Sequence, residues 1–394
     1  MNGVLKLVQP THAHARAPAR SAVAQWGEDV TRILCVRLDN LGDVLMTTPA
    51  LRALREAVPG RHLTLLGSRA GVALAPFLGD VDEVVEYDAP WVANRAEHAP
   101  ARDLRMAEQL GQRHFDAAVI FTVYSQNPLP AAMMCHLAGI PRRLAHCREN
   151  PYALLTGWVH ESEPEQHTRH EVERQLALVR EVGATARDTR MRFDVREADR
   201  ALLAARLAAR GVDPHAPYFI LHPGATAASR RYPAARFGLV AARLVRETGY
   251  PVLITGSHGE RALAAEVRRT AGYAARPALH DLAGTLSLGE LGALLERATV
   301  LISNNSGPVH IASALGTPVA DLYALTNPQH TPWQTAHRLL FRDVPCRWCY
   351  RGVCPQRHHA CLRGVPPAEI VQAALELCAE ARASGAPGCT TEPS

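Results

Sequence analysis

Short apolar runs alternate with longer segments of helical periodicity, in two successive series, and this alternation limits the fold more than any other feature of the chain. In the first series the strand-like runs are Ile33–Val36, Leu63–Leu66, Glu83–Tyr87 and Ala117–Phe121, with a shorter one at Arg143–His146. The spacing between them predicts helices over 44–57, 70–78, 101–113 and 128–138. The second series has strands at Tyr218–Leu221, Val252–Thr255, His280–Leu282, Val300–Ser303 and Val319–Tyr323, and helices over 234–247, 259–271, 287–296 and 308–315. Parallel strands need crossover connections, so this order implies parallel sheets covered by helices on both faces. The class is α/β: two Rossmann-like, doubly wound domains whose ligand edges face each other across a cleft.

A length of 394 residues agrees with two cores rather than one. The expected divisions are a disordered extension over 1–30, a first domain over 31–196, a linker region over 197–217 and a second domain over 218–345. A cysteine-rich segment and terminal helix fill 346–394. Before the second series the pattern is less regular. A helix over 168–182 stops at Gly183, Met191–Val195 reads as a short strand, and a helix over 197–210 ends before Gly211, Pro214 and Pro217. The last helix, about 367–384, is long enough to pack back across one domain.

Hydrophobic residues at 47% and charged residues at 21% describe a soluble globular chain. The net charge of +5 is spread along the sequence, which gives no nucleic-acid footprint but leaves room for a basic face toward anionic lipid. No apolar run approaches the roughly 18 residues of a membrane span, so contact with a membrane would be peripheral. Residues 1–27 carry Lys6, Arg16 and Arg20 and no acidic residue. They lack an apolar core of the kind a secretory signal needs, and read either as a disordered extension or as a targeting or membrane-surface segment.

The chemistry concentrates in strand-to-helix turns. In the first domain, Arg37-Leu38-Asp39-Asn40-Leu41-Gly42-Asp43 joins a strand to a helix that opens with Asp43. In the second, four turns follow strand candidates: 222–226 with Arg230, 255–260, 281–287 and 303–310. In a parallel sheet all four crowd one edge, where open α/β folds place ligands. Glycine there lets a ligand approach the backbone, and a helix N-terminus offers unpaired N–H groups to an anion. Pro308 suits the first helical turn, where its missing donor costs nothing. Arg230 adds a planar fork of charged donors, so the edge suits a nucleotide diphosphate.

Several of these stretches together resemble glycosyltransferase family nine, the ADP-heptose:lipopolysaccharide heptosyltransferases. They are Leu38–Val44 with Thr47–Leu51, 222–225 with 230–233, 281–284 with Leu288, and 304–310 with Ala312 and 314–318. The resemblance runs in the family's order over roughly residues 32–375. It implies a GT-B fold, with the acceptor on the first domain and the nucleotide-sugar donor on the second. It also implies inverting, metal-independent transfer of a heptose or related sugar, with ADP-heptose the expected donor and a lipopolysaccharide core or similar lipid-linked glycan the acceptor. That places the protein in the cytoplasm, with peripheral contact at the inner membrane.

By the same resemblance Asp43 takes the proton of the acceptor hydroxyl, where a local reading makes it a helix cap. Asn40 and Gly42 form the acceptor-side loop around it. Arg230 holds donor phosphate or is a solvated surface arginine. Thr226, Asn305, Ser306 and Gly307 line the donor side, and His310 either donates to the diphosphate or braces the loop. Glu260 falls where the family binds the ribose hydroxyls and Leu286 beside the adenine; a capping glutamate and a core leucine are the alternatives. Asn305 stands where many relatives carry Asp, and an amide can orient but cannot take a proton. Arg230 replaces a Lys of well-known members, keeping charge but not geometry. Residues 87–170 carry no legible motif.

Of nine cysteines, Cys346, Cys349, Cys354 and Cys361 cluster beside His358 and His359. They read as a structural zinc site, reduced thiols or loop-tying disulfides. No cofactor is expected for catalysis. Two other functions stay compatible with the sequence: a non-catalytic nucleotide-binding module and a nucleotide-sugar-modifying enzyme of the same architecture.

Overall fold

Ile33, Leu34, Cys35 and Val36 are all buried because their strand lies inside a parallel sheet with helices on both faces. The structure, a computed structural model, describes residues 23–92 and 99–383. The expected N-terminal extension falls, through residue 22, outside the described residues.

The first half runs β1 (Arg32–Arg37), α1 (Leu41–Ala57), β2 (His62–Gly67), α2 (Arg69–Val72), β3 (Glu83–Glu86), α3 (Pro100–Gly111), β4 (Ala117–Ile120), α4 (Leu129–Leu137), β5 (Arg142–Cys147) and β6 (Gly157–His160). Helices α5 (Glu171–Arg180) and α6 (Glu197–Ala208) follow. The second half runs β7 (Phe219–His222), α7 (Ala234–Thr248), β8 (Val252–Ile254), α8 (Arg261–Ala271), β9 (Leu279–Asp281), α9 (Leu288–Glu296), β10 (Val300–Asn304), α10 (Gly307–Leu315), β11 (Val319–Leu322) and β12 (His337–Leu340). Helices α11 (Ala360–Arg363) and α12 (Pro367–Ala383) complete the described chain.

Both sheets are parallel and share one topology. Their orders are β3-β2-β1-β4-β5-β6 and β12-β11-β10-β7-β8-β9, the doubly wound arrangement in each half. The strand order therefore reverses between β1 and β4 and again between β7 and β10. At those two points the flanking loops separate to opposite faces and leave a crevice at the carboxyl edge. A continuous apolar core lies between the two halves, running from Leu45 and Leu51 of α1 through Leu176 of α5 to Leu294 of α9 and Ile311 of α10. Each such leucine contributes about 2 kcal/mol on burial. Helix α12 packs on α7 and on the second sheet, closing that half's outer core.

Three local expectations need correction. Helix α1 opens at Leu41 with Asn40 as its cap, so Asp43 sits one turn inside the boundary expected at its own position. The helix expected over 70–78 breaks into α2 and a single tight turn at Ala75–Phe77, where Pro76 removes a backbone donor. Met191–Val195 forms no strand. Arg192 N–H bonds the Thr48 hydroxyl and Asp194 N–H bonds the Phe77 carbonyl, so the backbone is satisfied piecemeal while Met191 and Phe193 enter the core. The helix expected over 197–210 forms as α6 and packs against α9.

Candidate active site

The two switch points face each other. A cleft of about 400 Å3 lies between them, walled by the loops after β1 and β4 on one side and after β7, β10 and β11 on the other. It collects Asn40, Gly42, Asp43, Thr226, Arg230, Asn305, Ser306, Gly307 and His310, residues drawn from both halves of the sequence.

Asp43 is held on all sides. Its Oδ2 accepts the N–H of Asn40 at 3.0 Å, so it does cap α1. Its Oδ1 lies 3.4 Å from Arg37 Nη2 and 3.9 Å from His330 Nε2. Burial opposes its charge, yet Arg37, His330, the Asn40 N–H and His310 together hold its pKa below the usual carboxylate range. Capping and cleft placement therefore coexist in one side chain.

Beneath it sits Arg37, fully buried at the end of β1. Its guanidinium pairs with Asp39 at 3.0 Å, Asp43 at 3.4 Å and Glu171 at 2.9 Å. Three carboxylates around one cation leave an excess negative charge facing the cleft. For Asp39 burial prevails and pushes the pKa up to about 6, against the pull of Arg37. Glu171 comes from α5, whose N-terminus is tied to the second half. Glu171 N–H donates to the Gln329 carbonyl, and the His170 ring nitrogen lies 2.9 Å from the Thr331 carbonyl.

On the facing wall the chemistry is different. Helix α10, which packs against α1, has its N-terminus toward the cleft. The approach is close enough that a β-carbon at Gly42 would fall 2.6 Å from His310 Cδ2. Only glycine permits that contact. The positive end of α10 favours an anion there by about 0.3–1 kcal/mol when exposed. Arg230, half-buried, makes no ion pair among the described residues and is near enough to depress the pKa of His310 and His330. Burial comes first in that depression, and it leaves His310 at about 3, a neutral imidazole at pH 7.

Asn305 turns its amide away from the opening. Its Nδ2 donates to Asp321 Oδ2 at 3.0 Å and to the His330 carbonyl at 2.9 Å. Asp321 is fully buried in β11, and burial pushes its pKa up to about 8.

Glu260 and Leu286 do not line this cleft. They line an adjoining cavity of about 380 Å3 that shares Thr226, Ser306 and Gly307 with it. All four glycine-containing turns of the second half contribute to that cavity. Glu260 Oε2 accepts the Ser257 N–H at 2.7 Å and hydroxyl at 2.8 Å. Burial raises its pKa, but those bonds, with His222 and Arg231, bring it below normal. A β-carbon at Gly224 would fall 2.1 Å from Glu260 Oε1, so glycine makes room for the carboxylate.

The third wall is the cysteine-rich segment. Tyr350, Arg351 and Gly352 enter the cleft. The Ser229 hydroxyl donates to the Arg351 carbonyl at 2.6 Å and Ser229 N–H to Gly352 at 3.0 Å, bracing the turn that presents Arg230. The Tyr350 ring also meets Tyr124 of the first half edge-on at 5.8 Å. Cys346, Cys349, Cys354 and Cys361 line a space of about 20 Å3 with His358 and His359. The Cys346 sulfur lies 3.8 Å from His358 Nε2, and none of the four is in a disulfide. Among the described residues no three His, Cys, Asp or Glu side chains are placed to hold a metal ion.

Sequence reasoning missed Arg37, Glu171, His330 and Asp321 as parts of the site. Arg37 was visible beside the turn, but its partner Glu171 lies 134 positions away. No helix among the described residues is long and apolar enough to cross a membrane.

Residues 104–359 match the family described as glycosyltransferase family 9 (heptosyltransferase). Lipopolysaccharide heptosyltransferase 2 of Escherichia coli K12 is 25% identical over 350 residues, covering 86% of this chain and 97% of that protein. The glycosyl transferase family 9 structure from Veillonella parvula superposes with a TM-score of 0.77 at 21% identity, over 90% of this chain and 99% of that one. An E. coli heptosyltransferase solved with ADP-2-deoxy-2-fluoro heptose gives 0.61 at 18% identity, over 88% and 99%.

Proposed function

The chain belongs to glycosyltransferase family 9, the heptosyltransferases of GT-B fold, and from that premise we propose an inverting transfer from ADP-heptose to a saccharide hydroxyl with Asp43 as base. The observation that carries the reading is the cleft itself. A carboxylate held ionised on one wall faces the N-terminus of α10 on the other, with Arg230, which makes no ion pair among the described residues, beside it.

In this reading the adenosine lies in the cavity beside Leu286, with its ribose hydroxyls on the Glu260 carboxylate. The diphosphate rests on the N-terminus of α10 at Ser306 and Gly307, with Arg230 alongside. The heptose then occupies the space between Thr226 and Asp43. The acceptor hydroxyl gives its proton to Asp43 as its oxygen bonds to the anomeric carbon, and the bond from that carbon to the diphosphate oxygen breaks. The negative charge that develops on the leaving group falls where the α10 N–H groups and Arg230 already point. The acceptor, a lipopolysaccharide core or similar lipid-linked glycan, would bring the enzyme to the inner face of its membrane.

The test is release of ADP from ADP-heptose with a core saccharide acceptor present. Release with formation of the opposite anomer is expected. Asp43→Asn should lower turnover by about 10²–10⁴, the usual contribution of a positioned base. Unchanged turnover in that variant would remove Asp43 from the role.

A further inference from the structure

The cysteine-rich segment brings a second arginine into the cleft, one that the transfer step above does not use. Arg351 lines the cleft with Arg230, and neither makes an ion pair among the described residues. Their two turns are joined through the backbone. The Ser229 hydroxyl donates to the Arg351 carbonyl at 2.6 Å and the Ser229 N–H to the Gly352 carbonyl at 3.0 Å. Just upstream, Trp348 N–H donates to the Leu325 carbonyl at 2.7 Å and Tyr350 N–H to the Thr326 carbonyl at 2.9 Å, which ties the segment to the loop after β11 as well. Trp348 and Tyr350 both adopt left-handed backbone, with φ of 58° and 51°, a conformation that costs a bulky residue about 1 kcal/mol or more. The chain thus accepts strain on the approach to Arg351 and uses these bonds to fix it beside another cation.

Two like charges gathered in one cleft suit a ligand with more than one negative charge. The carboxylates of the cleft do not meet that need, because Asp39 and Asp43 stand on the other wall and both pair with Arg37. Neither arginine lines the cavity that holds Glu260 and Leu286, so both stand toward the sugar-bearing end of a diphosphate whose adenosine lies there. The charge at that end is not yet balanced. Each phosphate of a nucleoside diphosphate sugar carries one negative charge, and when the sugar leaves, the terminal phosphate becomes a monoester of about −1.5 to −2. The N-terminus of α10 is equivalent to roughly +0.5, to which Arg230 adds one unit. Their sum falls short of the donor's charge and further short of the product's.

We propose that Arg351 is a second cationic contact of the leaving diphosphate, made at its sugar-bearing phosphate. As the acceptor oxygen bonds to the anomeric carbon, the electron pair of the broken C–O bond stays on the terminal phosphate oxygen, and the Arg351 guanidinium meets the charge that gathers there. The proposal rests on the transferase reading above. It adds a leaving-group contact from outside the strand-to-helix turns.

The experiment uses the full chain, titrated by calorimetry with ADP, AMP and adenosine, and assayed for ADP release from ADP-heptose with a core saccharide. Arg351→Ala should weaken ADP by about tenfold and leave AMP and adenosine within about twofold, as a charge-assisted contact to the terminal phosphate requires. It should lower kcat more than it changes the donor KM, because the charge grows in the transition state. Arg351→Lys should recover part of both losses. Unchanged ADP affinity in Arg351→Ala, or AMP and adenosine weakened as much as ADP, would overturn the contact alone. Absence of ADP release from the unsubstituted protein would overturn the transferase reading, and the ADP titration would still decide the contact.

Discussion

The two halves of the molecule have the same strand order and opposite edge chemistry. At the switch point of the first sheet the loops carry Asp39 and Asp43 around a buried Arg37, so the surplus charge is negative. At the switch point of the second, the loops carry small residues, helix ends and Arg230, which makes no ion pair among the described residues, so the surplus is positive. The sheet decides where a ligand sits; in the proposed reading the loop residues decide whether it is an acceptor to be deprotonated or an anion to be released.

The largest expected effect comes from breaking the charge cluster on the first side. Glu171→Ala removes a fully buried partner of Arg37 and should cost about 3 kcal/mol of stability, read as a fall in the thermal midpoint. A change within error would mean that Asp39 and Asp43 alone satisfy the guanidinium. On the second side, Arg230→Ala should weaken ADP binding by about 10–100-fold, the scale of one charge-assisted contact, and leave the fold intact. Equal loss of ADP and adenosine binding would contradict a diphosphate role.

Two pH effects sharpen the contrast. Asp321 has a folded pKa raised to about 8 by burial, above its unfolded value, so the folded state binds the extra proton. For a buried acid raised in this way, stability falls as pH rises from the unfolded pKa to about 8. Asp321→Asn should therefore stabilise the protein by about 1–2 kcal/mol near pH 8 and much less near pH 4. Equal midpoints for the two proteins across that range would sink the assignment. The smallest effect is expected from Asp39, pushed up to about 6. The acceptor KM should vary between about pH 5 and 7 more than the donor KM does, because Asp39 stands on the first-domain wall of the cleft and not in the cavity that holds Glu260 and Leu286. Asp43, held below the ordinary carboxylate range, loses its ionised form only at more acidic pH.

How much was legible in the sequence follows from how local each feature is. The strand–turn–helix at 33–57 and the four turns of the second half are short, contiguous patterns, and the structure brings them to facing edges. Strands β6 and β12 went unread because each is a four-residue edge strand, Gly157–His160 and His337–Leu340, with little apolar alternation. Met191 and Phe193 looked like strand residues because they alternate into the core, yet their backbone finds no ladder. The Arg37–Glu171 pair, His330 beside Asp43 and the cavity under Trp91 join residues distant in sequence. No local period announces them.

Binding of ADP-heptose to Asp43→Asn, titrated by calorimetry, tests the division of labour between the two walls most directly. In the proposed reading donor contacts belong to the second half, so the dissociation constant should stay within about threefold of the unsubstituted protein even though turnover is lost. A loss of donor affinity as large as the loss of turnover would place Asp43 in the donor site and contradict the account.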